Sequence, residues 1–173
     1  KYDVFYEWAR WIFRYKIKLL KNSSNPYEEP LEIKFRITKH EYSGMNIIPA
    51  DYAAKLLCVT ALDGMSDKSF HLVNDAEIST ELTSKLILDT LNIFGWSFVD
   101  KEPEDKNQFE QFYYRTVGKI FTPYIIDPPL NYNNDNLKGI MKKENLYCPE
   151  MNKENFQKLM DYAKKHNFGL VNG

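Results

Sequence analysis

The sequence predicts an α/β fold: a small, partly parallel sheet with packed helices, followed by a helical, aromatic-rich C-terminal extension. Three observations predict it. Apolar residues recur at spacings of three and four through residues 2–21, the period of a helix with one buried face. Residues 31–38 alternate apolar and polar side chains, the period of a half-buried strand. The segments then follow in the order helix, strand, strand, helix, strand, helix, strand, and the alternation in the later part is that of a sheet crossed by helices.

In the first helix, Tyr2 to Lys21, the residues Val4, Phe5, Trp8, Trp11, Ile12, Tyr15 and Leu19 gather on one face, with Arg10, Arg14, Lys18 and Lys21 mostly elsewhere. The turn-forming run Asn22-Ser-Ser-Asn25-Pro26 stops it. Leu31, Ile33, Phe35 and Ile37 then form the dry side of a strand, and Met45 to Ile48 reads as a short apolar strand ended by Pro49. Proline suits the first turn of a helix, where its missing N–H has no partner to lose, so a helix runs from Pro49 to about Leu62, with Gly64 closing its end. Its small-residue face, Ala53, Ala54, Leu57, Cys58 and Ala61, lets it sit close to a sheet.

Ser69 to Val73 reads as another strand, and Ser79 to Phe94 as a helix with Ser79 as N-cap, Glu81 in the positive first turn and Gly95 past the end. Trp96 to Val99 adds a strand. A charged linker, residues 100–107, divides this α/β region (1–99) from a helical extension (108–173) expected to pack on it. There, Phe109 to Phe121 reads as helical, the prolines at 123, 128 and 129 break regular structure, and residues 131–136 form a polar loop. The last helix is the best specified: Asn152 caps it, Met151 and Phe156 take the positions of a hydrophobic staple, and Phe156, Leu159, Met160 and Ala163 line one face.

Composition narrows the function. The 173 residues carry 24 acidic and 23 basic side chains, a formal net charge of −1, which argues against a general nucleic-acid binder. Two cysteines, Cys58 and Cys148, make no secreted disulfide scaffold, so a reduced, cytoplasmic compartment is the default expectation. No apolar run approaches the roughly 18–20 residues of a membrane span. No glycine-rich strand-to-helix turn and no Gly-x-Ser-x-Gly elbow is present. The histidines, His40, His71 and His166, lie far apart, and none has a second ligand at helical spacing, so no metal site is expected.

The weighed residues each have two readings. His71, between Phe70 and Leu72, is either a pocket residue or a hydrogen-bonded, partly buried imidazole, and the second is favoured. Asp51, just past a strand end, is either near a ligand or a first-turn carboxylate on a helix dipole, and again the second is favoured. Cys58 reads as a small core residue. The aromatic stripe of the first helix is core first, the wall of an apolar cleft second and a membrane-surface face third.

Met45-Asn-Ile-Ile-Pro-Ala-Asp-Tyr-Ala-Ala-Lys55 resembles the V-P-V-D-x-V-A segment of extended short-chain dehydrogenases/reductases. Ser69-Phe-His-Leu-Val-Asn74 is similar to that family's x-F-H-L-x-N strand, and Ile78-Ser-Thr-Glu-Leu82 to the start of its next helix, in the family's order and at about its spacing. Phe5-Tyr6 and Trp8 match the segment after the family's Arg-Pro and Gly strand-loop. Phe112 to Tyr124 is similar to the tail of acyl and thioester reductases of this group. The resemblance implies the C-terminal, substrate-binding portion of an NAD(P)-dependent enzyme, with Phe5, Trp8, Ile48, Asp51 and His71 at the substrate pocket. It implies no complete Rossmann domain, no catalytic residue and no cofactor-binding residue here. The glycine-rich loop and the Tyr-x-x-x-Lys pair belong to an N-terminal half that this chain does not contain, and Tyr42, Tyr113 and Tyr114 do not replace that tyrosine. The implied substrate is an acyl thioester, small or carrier-bound. A nucleotide sugar, as in the family's epimerases and dehydratases, is the alternative, and a non-catalytic protein- or lipid-binding module is the competing class. Apolar surface left by a missing half also makes self-association an expectation.

Overall fold

The computed structural model describes residues 4–62, 68–127 and 132–170. In these the chain runs α1 (Phe5–Leu19), β1 (Leu31–Thr38), β2 (Gly44–Met45), α2 (Ala50–Leu62), β3 (Ile78–Ser79), α3 (Thr80–Thr90), β4 (Ile93–Val99), α4 (Gln108–Arg115), α5 (Val117–Ile126), α6 (Asp135–Lys143) and α7 (Lys153–Lys165), with a closing 3-10 turn at Asn167–Gly169. The fold is α/β, and its sheet structure is small. β1 and β4 pair in parallel, from Leu31 against Ile93 to Thr38 against Val99, and β2 pairs antiparallel with β3.

The parallel pair is asymmetric. Odd-numbered β1 residues bond toward β4, as Leu31 N–H does to Asn92 O (3.1 Å), and the Lys39 N–H just past the strand follows to Val99 O (3.0 Å). The even-numbered ones face α4, whose side chains stand in for a third strand. Asn107 Nδ2 donates to Lys34 O (2.7 Å), and Arg36 N–H donates to Glu110 Oε1 (2.9 Å). The Tyr114 hydroxyl donates to Arg36 O (2.7 Å) and accepts from Thr38 N–H (3.1 Å). Positions 107, 110 and 114 fall on one helix face, so a capped helix satisfies a strand edge that would otherwise be unpaired. Asn107 and Glu110 also form a reciprocal capping box. Arg36 fixes the buried Glu110 from its other side, with Nη2 2.7 Å from Oε2.

Local signals set several boundaries as expected. The Ser79 side chain accepts from Leu82 N–H (3.1 Å), and the Asn152 side chain from Asn155 N–H (3.0 Å), as N-caps do. Met151 and Phe156 are both buried around the second cap. The first helix, expected over Tyr2 to Lys21, is α1 (Phe5–Leu19), ending at Leu19 ahead of the expected Lys21; Tyr2 lies outside the described residues.

Other expectations are corrected. Residues 69–73 form no strand and pair with no ladder; Phe70 and Leu72 instead pack on a small second core. The strand expected over Met45–Ile48 is reduced to Gly44–Met45. The helix from Ser79 ends at Thr90, because Asn92 turns to φ 51° and β4 already begins at Ile93, ahead of the expected Trp96. The helix of 109–121 breaks at Thr116, whose hydroxyl donates to Phe112 O (2.7 Å) and competes with the backbone. α5 then continues through Pro123, and the carbonyl that Pro123 frees lies on exposed Lys119. Part of the expected loop at 131–136 is the start of α6. Gly64, Pro128, Pro129 and Asn131 lie outside the described residues.

The main core joins Ile12 and Phe13 of α1, Ile33, Phe35 and Ile37 of β1, Ile87 and Leu91 around α3, Tyr113 of α4 and Phe156 and Met160 of α7. Residues before 99 and after 108 thus share one interior. The second core holds Tyr52 and Leu56 of α2 against Leu137 and Met141 of α6. α2 therefore buries Tyr52 and Leu56, and the small-residue face expected against a sheet is largely in solvent, Cys58 included.

Candidate functional site

An apolar cavity of about 490 Å³ opens where the N-terminal turns of α1, the stretch 44–48, α3 and α5 converge. Spacing on α1 puts Phe5 and Trp8 on the same side, three residues apart, and both line it. Met45, Ile47 and Ile48 form a second wall, Ile87 of α3 a third, and Phe121, Tyr124 and Ile125 of α5 a fourth.

Two of the walls are held by hydrogen bonds. Trp8, 6% exposed, donates its indole N–H to the Tyr113 hydroxyl (2.9 Å). Tyr113 in turn packs edge-on against Phe35, with ring centres 4.5 Å apart. Burial pushes the Tyr113 hydroxyl well above the ordinary tyrosine range, so it is a fixed hydrogen-bonding group and not a proton shuttle at neutral pH. The stretch 44–48 is fastened through Asn46 and Asn74. Asn46 Nδ2 donates to Asn74 O (2.9 Å), and Asn74 N–H donates to Asn46 Oδ1 (2.8 Å). The Asn74 side chain then donates to Ile47 O and Pro149 O, both at 3.1 Å. Asn74 is thus a buried clamp that holds the strand-like apolar stretch in place after its ladder has ended.

Of the five expected pocket residues, Phe5, Trp8 and Ile48 line the cavity, and Asp51 and His71 are not in its wall. Asp51 is exposed in the first turn of α2. His71 is exposed, with Nδ1 2.9 Å from Asn133 O and its ring edge-on to Tyr132 at 5.4 Å. Tyr132 does line the cavity, so His71 adjoins it through that ring alone. The aromatic stripe of α1 is core and cavity wall together, since Trp8 belongs to both. Sequence reasoning missed Glu77, Ser84 and the α5 wall. The signal for α5 was the apolar run Ile120-Phe121, Tyr124-Ile125, obscured by Pro123.

Glycine placement tests whether these residues fit a dinucleotide. Gly44 and Gly95 lie in strands, Gly118 and Gly139 in helices, and Gly169 in the final 3-10 turn. A Cβ on Gly118 would stand 2.7 Å from the Tyr113 ring, and one on Gly95, at φ +85°, 3.2 Å from Ile33 O. These two serve internal packing. None of the described glycines stands at a strand-to-helix turn where a phosphate would be cradled. Among the described residues no group of three or more His, Cys, Asp or Glu side chains converges as metal ligands, and no helix is long and apolar enough to cross a membrane.

Compared with models of protein families, with curated proteins and with solved structures, the chain matches none.

Proposed function

We propose that this chain is the substrate-binding part of an NAD(P)-dependent extended reductase acting on an acyl thioester, and that the cavity receives the acyl portion. The cavity carries this reading. Its walls are mostly aliphatic and aromatic, and its volume lies within the range of small-molecule pockets. A nucleotide-sugar diphosphate would call for Arg or Lys contacts, and among the described residues the cavity wall contains neither. The chain's own residues bind and orient in this reading. Trp8 and Phe5 exclude water from one side of an acyl chain, and the Asn46–Asn74 clamp keeps Met45, Ile47 and Ile48 in place on another. Hydride chemistry belongs to the cofactor and residues of the absent half.

Titration of the chain with N-acetylcysteamine thioesters of short and long acyl groups, followed by tryptophan fluorescence, tests it. The long acyl thioester binds more tightly, and Trp8→Ala weakens the long acyl group more than the short one. Equal losses remove Trp8 from the acyl site, and no binding at all removes the reading. Calorimetry of this chain with NADPH shows no saturable heat; a saturable signal overturns the assignment of the cofactor to another half.

A further inference from the structure

We propose that the ligand of this cavity carries a protonated amine: it is a cationic amphiphile, with an aliphatic or aromatic body and a basic nitrogen. The inference rests on the reading of the cavity as a ligand site and adds the charge of what enters. For an acyl substrate, it describes an acyl chain bearing a basic nitrogen.

Three observations converge. Among the described residues, the charged ones of the wall are Glu77 and Asp127, and no Lys, Arg or His lines it. Glu77 is partly buried and packs over Gly44, where an added Cβ would fall 2.6 Å from Glu77 Oε2. Glu77 has no hydrogen-bond or ion-pair partner among the described residues, in contrast to Glu110, which Arg36 holds by two bonds. A carboxylate drawn partly out of water beside apolar walls is costly unless a cation or donors meet it. The second observation is Ser84 on α3. It is 4% exposed and lines the same cavity, yet its hydroxyl makes no hydrogen bond among the described residues. Its oxygen is not among the fully buried unpartnered atoms of the described residues, so it is open to the cavity and can accept from a ligand N–H. The third is the aromatic wall. Trp8, Tyr124 and Tyr132 line the cavity, and aromatic rings are the side-chain type that attracts organic cations. A free fatty acid would instead bring a third negative charge to a wall that cannot pair it.

Octylamine, octanol and octanoate share one chain length and differ in charge, so they separate the terms. Bound to the whole chain and followed by tryptophan fluorescence, octylamine binds about tenfold more tightly than octanol, and octanoate most weakly. The preference for the amine shrinks as salt is raised. Glu77→Gln brings octylamine to the level of octanol and leaves octanol unchanged, and Ser84→Ala costs octylamine a smaller factor. Octanoate at or above octylamine overturns the proposal, as does a preference that survives Glu77→Gln. Equal binding of octylamine and octanol overturns it too, but leaves the apolar ligand site standing. Binding of none of the three sinks both. Should Glu77→Gln fail to fold, the salt series on the unaltered chain decides, and an amine preference indifferent to salt overturns the proposal.

Discussion

Lys16 is fully buried in α1, and its ammonium is spent on the end of another helix. Nζ donates to Leu91 O, the carbonyl at the C-cap of α3, at 2.6 Å, and more weakly, at 3.4 Å, to Asn92 O, which also accepts from Leu31 N–H. Lys16→Met keeps the stem and loses the donor, leaving a buried carbonyl unmet, and should cost about 1.5–3 kcal/mol in urea denaturation. The alkaline pH dependence follows from two opposite shifts. Burial lowers the Lys16 ammonium below its ordinary value, so the unfolded chain binds more protons between the two values and stability rises with pH through that window. Burial raises the Tyr113 hydroxyl, so its contribution is whole below the unfolded tyrosine value of about 10 and is lost as pH climbs from there toward the native value. Denaturation midpoints measured across the alkaline range should rise and then fall. Tyr113→Phe should flatten the fall and Lys16→Met the rise.

At the scale of elements, α4 decides whether β1 is an edge. Tyr114→Phe removes one hydroxyl that serves Arg36 O and Thr38 N–H together, so it should cost about 1–3 kcal/mol. Hydrogen exchange at the Thr38 amide should rise more than at Ile37, whose N–H faces β4. Equal change at both would mean that α4 does not seal the edge. This element was half legible in sequence. The helical character around Phe109 showed, but Asn107 fell in the predicted linker and its capping box with Glu110 went unread. Signals confined to a few neighbouring residues held: the alternation of β1, the Ser79 and Asn152 caps, the apolar face of α1. Features that depend on distant partners did not. Residues 69–73 carry a strand-like composition but have no strand beside them, and the ladder of Gly44–Met45 is made by Ile78–Ser79, more than thirty positions away. α6 was legible in principle, since Leu137, Ile140 and Met141 are spaced for one buried face with Asp135 at the start and Lys142 and Lys143 at the end. In the cavity, Phe5, Trp8 and Ile48 could be read because an apolar face is a local pattern. Glu77 and Ser84 could not, because only the β2–β3 pairing and the seating of α3 bring them to the same space.

At the scale of the whole molecule, the described residues bury a main core and a smaller second one, and the outer face of α2 stays apolar. The outward residues of α2, Ala54, Leu57, Cys58, Ala61 and Leu62, recur at spacings of three and four, so they form a single stripe. Leu57 is 58% and Leu62 86% exposed, and Asp51 and Lys55 are the only charges on the helix. Isolated exposed leucines are ordinary, whereas a contiguous stripe on an otherwise charged surface marks a site of contact. Covering each leucine removes it from water at a gain approaching 1.5–3 kcal/mol per side chain, roughly, enough to draw copies together at high concentration. Sedimentation velocity over a concentration series should therefore show self-association. Because Leu57 and Leu62 contribute little to the interior, Leu57→Glu with Leu62→Glu should abolish association while changing stability by no more than about 0.5 kcal/mol per site. A monomer at every concentration would leave the stripe without this role. Association that survives both substitutions would move the contact elsewhere, and the β4 edge, which no hydrogen bond from a helix seals among the described residues as α4 seals β1, would be the next surface to charge.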